Sequence, residues 1–172
     1  ALVVLAFLVP VFSPYPYDAQ NISEQNLPVS MKHLFGTDRF GRDLFTRSFY
    51  GLRISMTVGI VSAAVSMTVG TFLGVAAGYF GGAADVLIAE VMNVVGAVPS
   101  MLYVILIMLI LEPGCGCVII GICISGWIDV AGIVRSETMR IRQMAYCTAA
   151  EAMGLPRSRI IRKYVVGNER AL

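Results

Sequence analysis

The chain has 172 residues, of which 57% are apolar and only 14% charged, and its mean hydropathy is +0.77. A soluble domain carries about 25% charged residues, and a soluble fold of this size could not hide so much apolar surface, so an integral membrane protein is predicted. The net charge of +2 says little by itself, and four cysteines with one histidine are too few and too scattered for a disulfide framework or a zinc site.

Ala1 to Ser13 is apolar but shorter than the roughly 20 residues a span needs. It reads as the tail of a first transmembrane helix. The chain opens without Met inside this run and stops soon after a basic segment, which predicts a piece of a longer protein, cut at both ends. Residues 14–55 form a loop, with Pro, Tyr, Asn and Ser, the vocabulary of turns, as far as Met31. Within it, Phe40 to Arg53 places Phe40, Leu44, Phe45, Phe49 and Leu52 on one broad helical face. That pattern fits an amphipathic helix on a membrane surface or a loop helix packed on the protein.

Residues 56–80, 86–111 and 117–134 are three apolar runs, the second interrupted only by Glu90 and the third only by Asp129. Each is long enough to span, or nearly so, with tight turns at 81–85 and 112–116. Gly70, Gly74 and Gly78 recur every four residues and line one helix face. Small residues let another backbone approach closely, either as plain packing or as a seam that slides during transport. Pro99 predicts a kink. Glu90, Asn93 and Asp129 are costly in lipid and usually face a bundle interior or a water path. An ion pair or an interfacial position is the structural reading for Glu90 and Asp129, with Arg135 two turns beyond Asp129, and a proton relay is the functional one. Cys115-Gly116-Cys117 has no further ligand nearby and reads as a plain loop.

From Arg135 the composition changes. Arg135, Arg140, Arg142, Arg157, Arg159, Arg162, Lys163 and Arg170 lie in the last 38 residues, and positive charge close to a membrane end marks the cytoplasmic side. Counting back, 81–85 lies inside and both 112–116 and 14–55 lie outside. The tail reads as a helix over 135–153, a left-handed stop at Gly154, and a second short helix opened by Pro156. Ala149, Ala150 and Gly154 then present a small-residue surface rimmed by arginines, suited to a soluble partner or to anionic lipid.

The stretch Thr148-Ala149-Ala150, three residues, Gly154, nine residues, then Tyr164-Val165-Val166-Gly167 resembles the cytoplasmic loop of binding-protein-dependent ABC transporter permeases. There the pattern is Glu-Ala-Ala, three residues, Gly, nine residues, Ile-x-Leu-Pro. Thr148 replaces the Glu, and Val166-Gly167 replaces the Leu-Pro. His33-Leu34-Phe35-Gly36-Thr37-Asp38, Gly41-Arg42-Asp43, Ser48 and Gly51-Leu52-Arg53-Ile54-Ser55 are similar to the segment before the second helix in the dipeptide/oligopeptide/nickel subfamily. Gly78-Tyr79-Phe80-Gly81-Gly82 with Asp85 and Pro99 is a third match. The three occur in the family's order.

The resemblance implies an all-α polytopic helix bundle of the ABC importer permease type, whose last two helices would follow this chain. It implies a second permease subunit, two ATP-binding subunits inside, a solute-binding protein outside and no nucleic acid. ATP and Mg would sit on the partners, with no cofactor, metal or catalytic residue on this chain. The location implied is a bacterial or archaeal cell (inner) membrane, with 135–172 cytoplasmic and coupling helices over about 136–166. Ala149, Ala150, Met153 and Gly154 would contact the ATPase, supported by Arg157 and Arg162. Two other classes are weighed against it. One is an ion-driven secondary transporter or channel using Glu90 and Asp129. The other is an intramembrane protease built on Cys123-Ile124-Ser125-Gly126, which lacks the expected glycine and has its only histidine, His33, in the outer loop.

Overall fold

The computed structural model of the chain describes residues 2–161, without the side chains of Arg157 and Ser158. The helices are α1 (Leu2–Phe12), α2 (Leu44–Phe80), α3 (Gly82–Gly96), α4 (Ser100–Ile110), α5 (Cys115–Arg142), α6 (Ala145–Ala152) and α7 (Arg157–Ile160), with one 3-10 turn at Ile22–Glu24. The chain divides into two compact units, Ala1–Ile60 and Val61–Leu172.

In the first unit the loop between α1 and α2 is held by a dense hydrogen-bond network. Asp43 caps α2: its Oδ2 accepts from the backbone N–H of Thr46 at 2.8 Å and from the Thr46 hydroxyl at 2.8 Å. A carboxylate there satisfies donors the first helical turn leaves open. Its Oδ1 lies 2.9 Å from His33 Nδ1. His33 is only 2% exposed, and its Nε2 stands 3.6 Å from Glu24 Oε2 without a hydrogen bond. Asp38 folds the next turn, accepting from the N–H of Phe40 at 2.8 Å, the N–H of Arg42 at 3.0 Å and the Arg42 guanidinium at 2.7 Å. Gly41 has φ +71°, and a Cβ there would sit 1.7 Å from the Asn21 carbonyl oxygen, so only glycine fits this crossing.

The helix expected over 40–53 therefore starts at Leu44, and it does not stop at Arg53. Ile54 and Ser55 contain neither Gly nor Pro, so nothing breaks the helix there, and α2 runs 37 residues.

In the second unit, α5 is the element on which the others pack. Gly70, Gly74 and Gly78 bring α2 against it so closely that an added Cβ would lie 2.7–2.8 Å from the carbonyl oxygens of Trp127, Ala131 and Arg135. The same four-residue period extends upstream through Ser62 and Ser66, both buried, which the sequence reading does not single out. On another side, Gly121 of α5 meets α4, where a Cβ would fall 2.7 Å from Val104 Cα. In lipid, where apolar surface gains nothing by leaving its surroundings, such close packing of small residues is the main attraction between helices.

α2 and α5 are each long and apolar enough to cross a membrane, and α3 with α4 makes a third candidate bent by 73°. The bend falls at 97–99, where Pro99 caps α4 and cannot donate to the turn before it. Gly81 alone separates α2 from α3, so Asp85, expected within a turn, belongs instead to the first turn of α3.

Burial raises the Asp38 carboxyl, but the N–H and guanidinium of Arg42 and the N–H of Phe40 outweigh it and lower its pKa to about 2. Burial likewise raises Asp43, and the Thr46 N–H, His33 and the Thr46 hydroxyl more than offset it, leaving it below its ordinary value. Both depressed groups stabilise the folded loop above the ordinary carboxylate pKa of about 3.9, and that contribution fades as pH falls below it. The amide resonances of Phe40 and Arg42 are expected to titrate with a midpoint at about 2; a midpoint close to 4 would contradict the turn.

Gly74→Val inserts a side chain against the Ala131 carbonyl oxygen 2.7 Å from its Cβ and is expected to destabilise by about 1–3 kcal/mol. Gly59→Ala, where nothing lies within 4 Å, is expected to leave the melting temperature unchanged or raise it. A thermal unfolding series in detergent separates the two.

Candidate functional site

At the end of α5 the chain turns twice in quick succession, and the turns follow from local chemistry. α6 closes at Met153, and Gly154 takes φ +75°. The Gly154 N–H donates to the Glu151 carbonyl at 3.0 Å and the Leu155 N–H donates to the Ala150 carbonyl at 3.2 Å. This pair of bonds is the Schellman arrangement, which satisfies carbonyls a helix end leaves open and asks for a left-handed residue at the glycine position. Pro156 then starts α7, its carbonyl accepting from the N–H of Arg159 at 2.9 Å and of Ile160 at 3.2 Å.

Beneath this turn lies a cluster of buried side chains. Val75 and Tyr79 of α2, Ile141 of α5, Cys147 and Ala150 of α6 and Ile160 of α7 pack together, with Val134, Leu155 and Ile161 at its edge. The Tyr79 hydroxyl lies 3.4 Å from Glu151 Oε1, and the Arg142 guanidinium covers the Tyr79 ring at 5.6 Å from its centre. These groups, with Phe80, Leu155 and Ile160, line a cavity of about 280 Å³ behind the turn. Burial pushes the Cys147 thiol above its ordinary pKa, and the Glu151 charge adds to it, so this thiol is a packing group rather than a reactive one.

The expected contact residues separate into two faces. Ala149, Met153 and Gly154 are exposed, Met153 at 72%. Ala150 is not: it is 1% exposed and belongs to the cluster. Ala150 is therefore corrected from a contact residue to a packing residue. One position on from Ala149, it turns about 100° around α6 onto the inward face. Arg157 opens α7, but its side chain lies outside the described residues, as does all of Arg162 and the stretch 162–166 of the expected coupling helices. Gly70, Gly74 and Gly78 stand at the α2–α5 approach described above.

The intramembrane charges also rearrange the expectation. Arg135 does not pair with Asp129. It grips Asp85 of α3 in a two-pronged contact, Nε to Oδ1 and an outer nitrogen to Oδ2 at 2.8 Å. Six residues along α5, Asp129 points away from Arg135, at 600° or about two-thirds of a turn, whereas Asp85 is delivered directly by the one-residue link after α2. Asp129, Glu90 and Asn93 are all exposed. His33, the one base the protease reading has available, is buried and committed to Asp43. Among the described residues no group of three His, Cys, Asp or Glu side chains could hold a metal ion.

The family described as binding-protein-dependent transport system inner membrane component matches residues 70–168, which takes in the glycine seam, the bent α3–α4 pair, α5 and the α6–α7 turn. The chain is 40% identical over 167 residues to the dipeptide transport system permease protein DppC of Bacillus subtilis, covering 97% of this chain and 52% of that protein. It is 36% identical over 167 residues to the oligopeptide transport system permease protein OppC of the same organism, covering 97% and 55%. To the glutathione transport system permease protein GsiD of Pectobacterium atrosepticum it is 36% identical over 157 residues, covering 88% and 52%. The chain spans about half the length of these relatives.

The two faces of α6 make a direct prediction. Cysteines placed at Ala149 or Met153 are expected to react rapidly with a water-soluble maleimide, while native Cys147 and a cysteine at Ala150 stay protected until the protein is denatured. Equal labelling at 149 and 150 would mean that the cluster does not form as described.

Proposed function

Because the chain belongs to the family of binding-protein-dependent transport system inner membrane components, we propose that it acts as a permease subunit of an ATP-driven ABC importer of di- or oligopeptides. It forms part of the translocation pathway and performs no chemistry. A second permease completes the pathway, an external solute-binding protein delivers the peptide, and two ATP-binding subunits hold ATP and Mg on the cytoplasmic side, where 135–172 lies. The relatives' names carry the substrate class, and all three name solutes that are peptides or a peptide-like thiol.

The single observation that carries the coupling role is the outward face of the α6–α7 turn. Ala149, Met153 and Gly154 form a low, mostly apolar surface, and immediately behind it the buried cluster joins α6 and α7 to α2 and α5. A push on such a surface is carried by the side chains of this cluster, which connect α6 and α7 to α2 and α5. It is passed to the two long helices. Rigid helices then swing the pathway between inward and outward openings as the partner's nucleotide state changes. Arg157 and Arg162 would add attraction to an acidic partner surface. The ion-driven alternative, resting on exposed Glu90 and Asp129, predicts uptake that persists without ATP.

A complete transporter carrying Met153→Cys, with Cys147 replaced, is expected to crosslink to its ATP-binding subunit, with a yield that changes on adding ATP. Gly154→Arg is expected to abolish that crosslink and ATP-dependent peptide uptake while the permease remains in the membrane, since it strains a left-handed turn and fills the contact surface. Normal ATP-coupled uptake by Gly154→Arg would overturn the assignment of the turn.

A further inference from the structure

We propose that the hollow at the α3–α4 break is a solute site, and that Asp129 holds there the α-ammonium group of a peptide passing through. The hollow measures about 590 Å³ and is lined by Pro99, Ser100 and Val104 from the break and α4, and by Ser125, Gly126 and Asp129 from α5. That volume falls in the range of sites for small organic ligands, ~300–1,000 Å³, and accommodates a short peptide segment.

The chemistry of the lining favours a cation beside hydrogen-bonding groups. Among the described residues Asp129 is the only ionisable side chain in it, and it has no ion pair or hydrogen bond with any of them. Arg135, the basic group nearest in sequence, is occupied by Asp85. An uncompensated carboxylate at membrane depth is tolerated where it meets water or a cationic ligand. The break supplies a second, independent feature. α3 ends at Gly96 and bends 73° into α4, and irregular backbone is tolerated at this depth only where it is buried in protein or lines a water-filled cavity. The carbonyl end of a helix carries partial negative charge, which adds to Asp129 in attracting a cation. The first N–H groups of α4 and the hydroxyls of Ser100 and Ser125 suit the carbonyl or carboxylate oxygens of the same peptide. Broken helices that offer both signs of partial charge are a general way for transporters to hold a solute. The hollow lacks three ligating side chains, so a bare metal ion is a poor occupant.

The choice of a peptide as ligand rests on the importer reading above, and the test keeps the two apart. In the complete transporter, made free of native cysteines, Ser125→Cys reports from α5 and Ser100→Cys from α4. A cationic methanethiosulfonate is expected to modify both positions roughly tenfold faster than an anionic one, and Asp129→Asn is expected to erase the difference. Dialanine is expected to slow the modification, and N-acetyl-dialanine, which lacks the ammonium, is not. The proposal is overturned if both positions are inert to both reagents, which would place them against lipid or another helix. Equal rates for the two reagents with Asp129 present, or protection that ignores acetylation, would also overturn it. ATP-dependent uptake of dialanine by the unmodified complex tests the importer reading separately. Its absence, alongside a cation-selective hollow, would locate the failure in that reading.

Discussion

The second unit depends on how closely two backbones can approach. α2 offers α5 a face with no side chain beyond a hydroxymethyl group from Ser62 through Gly78, and α5 answers with its own carbonyl oxygens. A Cβ at any of the three glycines would come within 2.7–2.8 Å of a main-chain oxygen, closer than van der Waals contact allows. The consequence is that α5 becomes a shared wall. One side takes α2, Gly121 gives another to α4, and Asp85 and Arg135 fasten the first turn of α3. The ion pair is partly exposed, so it fixes orientation more than it adds stability.

Once α2 and α5 are locked at this spacing, their C-terminal ends form the floor on which α6 and α7 rest. Val75 and Tyr79 come from one helix and Ile141 from the other, and Cys147, Ala150 and Ile160 fill the space above them. The hydrogen bonds that close the turn at Gly154 all lie within six residues, so its shape follows from the local sequence. What the cluster adds is direction. It decides which side of α6 is floor and which is surface, and so makes Ala150 a packing group while Ala149 and Met153 face outward.

The two units differ in how they are built. The second relies on helix packing with few polar contacts, whereas the loop of the first is a hydrogen-bonded structure in which side chains replace an absent sheet or helix. Asp43 serves the helix start and His33 together, and Asp38 closes the adjoining turn. The stretch from His33 to Asp43 is therefore a folding motif: its histidine, its glycines and both its carboxylates each have a structural task.

Much of this was legible before any coordinates. Apolar runs of 18 residues or more, read by length alone, fall within the helices that are candidates to cross a membrane. The four-residue glycine period located the seam, and Gly154 followed by Pro156 located the turn between α6 and α7, because each signal is local and rests on sterics within a few residues. The turn between α5 and α6, which divides the helix expected over 135–153, carries no such signal. What the sequence left open was decided by contacts between distant residues. Whether Arg135 would pair with Asp129 or with Asp85 depended on the one-residue link that brings α3 beside α5. Whether Ala149 or Ala150 would face outward depended on the floor that α2 and α5 provide. That α2 starts at Leu44 and not at Phe40 depended on the cap made by Asp43 and on the histidine ten residues upstream that holds it. The sequence by itself determined which stretches are apolar and helical and where the chain must turn at Gly154, since backbone sterics and hydropathy act locally. Only the tertiary structure decided which faces meet and which charges pair, since those follow from distances that no local pattern encodes.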